Sequence, residues 1–266
     1  MSTSGYFKYR NAWRFDGPPH QERQLQENEC KALLEQGGLL VRNTYDFDCP
    51  EPTPFWYVVK DRYGGLEELS PRVRNKICHA FRFFEYRKVT YEELTERVFP
   101  ILEETFAHYK VHDRNMDREV FSKYLEQCRQ KRFDYWGIFA KDTGRMVGFC
   151  TVNDWGDCCE YQYTGVESRY LKGGYYPYYG LYHHLNGHYL ETLGYRYVDD
   201  GTRSITEHSQ IHEYLIGNFK FRKAYCRLEI RYNWWMKFAV KVLYPFRKIM
   251  PIPQVRAILN MESMAR

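Results

Sequence analysis

The run YVDDG at 197–201 ends a strand-like stretch on two carboxylates and a glycine. Asp–Gly is a common way to stop a strand, because aspartate bonds nearby backbone and glycine enters left-handed turns freely. Carboxylates at the carboxyl end of a strand also line ligand clefts in open α/β sheets. Both readings of Asp199 and Asp200 stand on sequence alone. In the second, a carboxylate takes the proton of an attacking amine while an N–H group meets the developing oxyanion. Glu160 and Glu167 are the other candidate bases, with Glu167 reading as a solvated loop residue.

Other reactive residue types carry weaker patterns. His184 and His188 are four apart in a helical stretch, as are His208 and His212, and one helical face can hold zinc from that spacing. No third ligand follows at a suitable distance and H-E-x-x-H is absent, so no metal is expected. Cys158 and Cys159 are neighbours in a strand and point to opposite faces, which suits buried structural thiols better than a nucleophile. The run YYPYYGLYHH at 175–184 suits either a cleft wall or core packing with hydroxyls at the surface.

The elements that must position these residues are legible in outline. Residues 20–36 read as a helix stopped by Gly37–Gly38, and 39–47 and 55–61 read as strands. Ser70 caps a helix that has Pro71 at its first position. Thr90-x-x-Glu93 is a capping box for the next helix, which Pro100 is expected to kink or interrupt. A further helix is expected over 117–131. Residues 133–154 form two strands around an Asp-Thr-Gly-Arg turn, and 158–166 form another strand. A helix from about Pro177 to Gly194, the strand YRYVDDG, a helix over 207–218 and a strand over 222–232 complete the order. Such an order calls for a mixed sheet with helices on its faces.

Composition narrows the class. A chain of 266 residues makes one large domain or two small ones, and 44% hydrophobic with 27% charged residues is ordinary for a folded protein. The 25 tyrosines are the compositional excess, and they suit clefts and wet interfaces as well as cores. A net charge of +5 permits coenzyme phosphates or lipid headgroups as partners without forming a nucleic-acid footprint. Eight cysteines without a C-x-x-C pair suit reduced, buried thiols. The N-terminal residues lack an apolar signal core, and no stretch is long and apolar enough to span a bilayer. The expected location is cytoplasmic, extending to the inner face of the membrane. Trp234 and Trp235 with Lys237, Lys241, Arg247 and Lys248 give 234–250 the make-up of an interfacial segment, one that Pro245 should break. The same make-up suits a helix docked on the domain. Basic residues across 72–88 read as a solvated face.

This order resembles the GNAT-type N-acyltransferases over about residues 133–232. TGRMVGFCTV looks like their hairpin arm, and EYLIGNFKFRKAYCRL looks like their last helix, turn and final strand. LSPRVRNKICHAFRF at 69–83 and LETLGYRYVDDG at 190–201 are similar to segments of the Fem-type aminoacyltransferases and their acetyltransferase-like relatives. The resemblance implies a GNAT-like α/β fold, an α+β mixed sheet with helices on both faces. It implies a helical and strand region at 1–115 (a partial second lobe), a core at 116–232 and an aromatic, basic helical tail at 233–266. The implied activity is transfer of an acyl group from acyl-CoA, acetyl-CoA first, to a small-molecule, lipid or cell-wall amine. Asp199 and Asp200 then border the donor cleft, with Glu160 as the third candidate beside the chemistry. Arg169, Lys172, Gly173 and Gly174 fall where the family cradles coenzyme pyrophosphate, with the arginine-to-glycine spacing one residue off. Ile216 stands where the family's catalytic tyrosine falls, with Tyr214 two residues earlier. Two alternatives remain open: a tRNA-dependent aminoacyltransferase of the Fem type, and a non-catalytic binding protein on the same fold.

Overall fold

The computed structural model describes residues 5–9, 11–107, 118–205 and 210–266. Two four-residue strands, β1 (Tyr6–Tyr9) and β2 (Ala12–Phe15), form a hairpin too short for its alternation to stand out in sequence. Helix α1 covers Glu27–Glu35 rather than 20–36. A Gln26/Glu29 capping box starts it there, and the Asn43 amide holds the Arg23 carbonyl at 2.7 Å in non-helical chain upstream. Strands β3 (Leu40–Tyr45) and β4 (Phe55–Lys60) follow. Helix α2 (Pro71–Phe83) begins as its residues require, with Ser70 Oγ accepting from the Val73 N–H at 3.4 Å. It turns directly into β5 (Phe84–Val89), so the basic residues of 72–88 divide between a helix and a strand.

Thr90 and Glu93 exchange both capping-box bonds, at 3.1 and 2.8 Å, to start α3 (Tyr91–Ala107). Pro100 does not interrupt this helix. An internal proline costs about 3 kcal/mol, and buried side chains such as Val98, Ile101 and Leu102 contribute about 1.5–3 kcal/mol each. Packing wins. Next come α4 (Arg118–Arg129), the hairpin β6 (Phe133–Ala140) and β7 (Met146–Asp154), and β8 (Cys158–Val166). Short α5 (Ser168–Lys172) leads to α6 (Pro177–Asn186), which continues as a π-helical stretch, Gly187–Thr192, before Gly194. The remaining elements are β9 (Tyr197–Thr202), α7 (Gln210–Phe219), β10 (Arg222–Tyr232), α8 (Trp234–Leu243) and α9 (Pro253–Ala265). Helix α8 gives way to a 3₁₀ turn at Tyr244–Phe246, where the sequence places Pro245. The expected helices at 117–131 and 207–218 begin at residues outside those described.

The chain divides into two compact units. One consists of Met1–Val58, Thr202–His212 and Lys223–Arg266. Its strands run in the order β1-β2-β3-β10, antiparallel, parallel and antiparallel. Val41 packs with Cys30 and Leu33 of α1, while its neighbour Leu40 packs with Met261 of α9, so the alternation of β3 gives each face a helix.

The other unit consists of Val59–Gly201 and Glu213–Arg222. Strands β5 to β8 form an antiparallel meander, and β9 joins β8 in parallel. On one face Tyr135, Met146 and Phe149 pack with Leu94, Val98 and Ile101 of α3 and with Phe121 and Leu125 of α4. Trp136, next in chain to Tyr135, donates to the Tyr189 hydroxyl at 2.9 Å, and Tyr86 donates to the Pro177 carbonyl at 3.0 Å. Helix α6 and its π extension therefore cover the other face. The sheet is mixed, with helices on both faces, as the order of elements predicted.

Close approach of α6 to β5 depends on Gly180, because a Cβ there would stand 2.1 Å from the Tyr86 hydroxyl oxygen. Gly180→Ala is expected to cost about 1–3 kcal/mol through overpacking. At about 2–4 °C per kcal/mol for a chain of this size, the fall is visible in a thermal melt. An unchanged Tm would mean that the Tyr86 ring gives way freely.

Candidate active site

Strand β8 decides the geometry. Against β7 its register jumps from Thr151↔Tyr163 to Val152↔Tyr161, so Gln162 is the extra residue of a β-bulge. Against β9 it pairs only over Cys158–Glu160 with Tyr197–Asp199. A bulge bends its strand and ends pairing, and such places are re-used to aim side chains at a site. The last pair of this short parallel ladder is Glu160 with Asp199, and Asp200 is the next residue. All three predicted carboxylates thus lie on the chain where the ladder stops, Glu160 in β8 and the two aspartates in β9.

The two aspartates do different things. Asp199 is only 1% exposed, and its Oδ1 accepts the Gly201 N–H at 2.9 Å, with Gly201 in the left-handed region at φ 79°. That is the turn chemistry of Asp–Gly. Asp200 points to the opposite face, where its charge is felt by Cys150, Tyr161 and Tyr182. Burial of its carboxyl, and secondarily the Glu160 charge, push the Asp200 pKa well above the usual carboxylate range. Glu160 accepts from the Gln162 amide, and its Oε1 lies 3.3 Å from where a Cβ on Gly201 would stand. Burial therefore favours the neutral form of the Asp200 carboxyl.

Tyrosines surround it. Tyr182 is fully buried and its ring lies 5.8 Å from Tyr161 and 6.1 Å from Tyr214. The Tyr214 hydroxyl is buried with no hydrogen-bond partner among the described residues. Tyr179, earlier in α6, accepts from the Lys76 ammonium at 3.0 Å. The tyrosine run is thus core at Tyr182 and surface at Tyr176. His184 and His188 pack edge-on against Trp136, and burial lowers both pKa values. His212 is buried, and His208 lies outside the described residues. All eight cysteines are free thiols; Cys158 and Cys159 are buried, whereas Cys78 is exposed.

A second cluster follows β8 directly. Glu167 is not a solvated loop residue: it is 6% exposed and collects three guanidinium groups. Arg97 of α3 reaches it at 3.3 Å, Arg145 before β7 at 2.9 Å and Arg169 of α5 at 3.1 Å. Glu104 accepts the Ser168 N–H at 3.0 Å beside it, so two carboxylates stand against three cations, and the Arg97 Nε and Ser168 Oγ atoms are buried without hydrogen-bond partners among the described residues. Fixed guanidinium forks of this kind suit phosphate and carboxylate ligands. Of the residues predicted for phosphate, Arg169 belongs to the cluster and Lys172 is the exposed last residue of α5. Gly173 spends its N–H on the Arg169 carbonyl at 3.1 Å, and Gly174, at φ 72°, has open space where a Cβ would stand. Arg97 and Arg145 escaped the sequence reading. Arg145 looked like a hairpin-turn residue, and Arg97 is 70 residues from its partner.

No protein-family model matches the sequence, and no curated protein matches it. Among solved structures, the crystal structure of FemX superposes with a TM-score of 0.54 at 9% identity, over 82% of this chain and 81% of that one. The chain carries the fold of FemX. The GNAT-like architecture expected from the hairpin, the strand at 197–201 and the final helix is accordingly present, in the form that FemX has. A conserved protein of unknown function from Bacteroides thetaiotaomicron superposes with a TM-score of 0.50 at 9% identity, over 77% of this chain. The match spans 66% of that protein's own chain. Identities this low speak for the fold alone.

Proposed function

We propose that the protein transfers an acyl group from a thioester donor, acyl-CoA in the first instance, to an amine. The observation that carries this reading is the end of the β8–β9 ladder at Glu160 and Asp199, with the Asp200 carboxyl, its pKa raised by burial, next in the chain. The amine nitrogen attacks the thioester carbonyl, the C–N bond forms and the C–S bond breaks. In its ionised form the Asp200 carboxylate takes the amine proton, and the coenzyme leaves as its thiolate. A carboxylate with a raised pKa is a stronger base than an ordinary one, which matches it to this task. Arg169, Lys172, Gly173 and Gly174, together with Arg97 and Arg145, form the side that takes the coenzyme phosphates. The acceptor is an amine on a small molecule, a lipid or the cell wall.

Thermal melts with millimolar acetyl-CoA and with free CoA test the donor. A ligand at about 100 times its Kd adds about 2.7 kcal/mol, so Tm is expected to rise with both compounds. No rise with either removes acyl-CoA as donor. The resemblance of 69–83 and 190–201 to the Fem-type aminoacyltransferases favours a second reading for that case, aminoacyl transfer from charged tRNA. Its mark is binding that weakens steeply with salt, because phosphate contacts release counterions.

A further inference from the structure

We infer that α8 and the segment after it, residues 234–252, seat on an anionic lipid surface. Met236 and Val240 face inward and pack with Leu259 of α9. Trp234, Phe238 and Val242 recur at every fourth residue and share one band, with Trp235 beside it, all turned outward. Trp234 is 81% exposed and Phe238 69%. Phe246, Ile249 and Ile252 extend the apolar exposure past the helix, with Ile249 at 77%. Solvated surfaces rarely gather this many large apolar groups unless something covers them.

The charge pattern identifies what covers them. Residues 233–261 carry Lys237, Lys241, Arg247, Lys248 and Arg256 and no aspartate or glutamate, so this one segment accounts for the chain's formal net charge of +5. Lys237 and Lys241 are exposed on the edge of the aromatic band. A second copy of the chain would set these cations against their equals. A lipid surface satisfies both halves of the pattern: rings settle at headgroup depth, and ammonium and guanidinium groups meet headgroup phosphates. No helix among the described residues is long and apolar enough to cross a membrane, which leaves a helix lying in the interface. This inference does not depend on the acyltransfer reading.

The test is co-sedimentation of the full chain with vesicles of phosphatidylcholine, with and without phosphatidylglycerol, alongside tryptophan emission. The chain is expected to sediment with the anionic vesicles with a blue shift, to bind neutral vesicles about tenfold less tightly, and to release in high salt. A Trp234→Ser/Phe238→Ser/Ile249→Ser variant is expected to lose about tenfold or more in vesicle affinity at an unchanged Tm, since all three side chains are exposed. Lys237→Glu/Lys241→Glu is expected to erase the preference for anionic vesicles. A wild-type chain that stays in solution with anionic vesicles, or a triple variant that binds as well as wild type, overturns the inference. So does a concentration-dependent dimer that the triple variant abolishes while neither protein binds vesicles.

Discussion

Asp200→Asn is expected to melt above the parent protein at neutral pH while transferring acyl groups about 10²–10⁴-fold more slowly, the range for loss of a general base. The two effects have one cause. Folding raises the Asp200 pKa through burial and the Glu160 charge, so the folded chain keeps a proton that the unfolded chain releases. Above the unfolded value of about 3.9, each step up in pH therefore favours the unfolded state, until pH passes the folded value. The stability this group provides is complete below the unfolded pKa and is lost across that window. Asparagine does not titrate, so the variant should show a flatter dependence of Tm on pH and a gain that grows from pH 4 upward. Melts from acid to neutral pH, paired with single-turnover rates, check both halves. A variant that melts lower than the parent would make Asp200 a structural residue. Asp199→Asn is the contrast, because the amide oxygen can still accept the Gly201 N–H. It should leave the rate and the melt nearly unchanged.

The difference between the two aspartates shows where the sequence stops being informative. Alternation puts Asp199 and Asp200 on opposite faces, and Asp–Gly announces a turn, so both the turn and the location at a strand end are legible. Which aspartate is the turn and which faces the tyrosines depends on the register of β8 against β9 and on a bulge at Gln162. No local residue pattern encodes that register, because a bulge is a mismatch between two strands. Capping and turn chemistry read well for the same reason in reverse: Ser70, the Thr90/Glu93 box and the Gly144 turn act within four residues. Local rules failed where long-range packing outweighed them. Pro100 sits inside a helix whose burial holds it, and α1 lacks the expected residues 20–26, about two turns, where Asn43 bonds the Arg23 carbonyl from twenty residues away. Glu167 failed as a reading because its partners come from three elements, and nothing about the glutamate itself shows that they converge.

That convergence makes Glu167→Ala the second large effect. Removing the carboxylate leaves Arg97, Arg145 and Arg169 facing one another without the group that holds them together. Truncating one partner of a fully buried pair costs about 3–5 kcal/mol. The three guanidiniums here are between a third and three-fifths exposed, so water and salt relieve part of the repulsion and the loss should be about 1–3 kcal/mol. The diagnostic is what restores it. If the cluster is a built anion site, pyrophosphate or sulfate replaces the lost carboxylate, and millimolar anion should raise the Tm of the variant by more than it raises that of the parent. Glu167→Gln, which keeps an acceptor but not the charge, should fall between the two in stability and in anion response. Equal anion responses in all three proteins would mean that the arginines splay into solvent once Glu167 is gone. The cluster would then be an internal brace between α3, β7 and α5, and the coenzyme phosphates would have to be held by Lys172 and the Gly174 backbone alone.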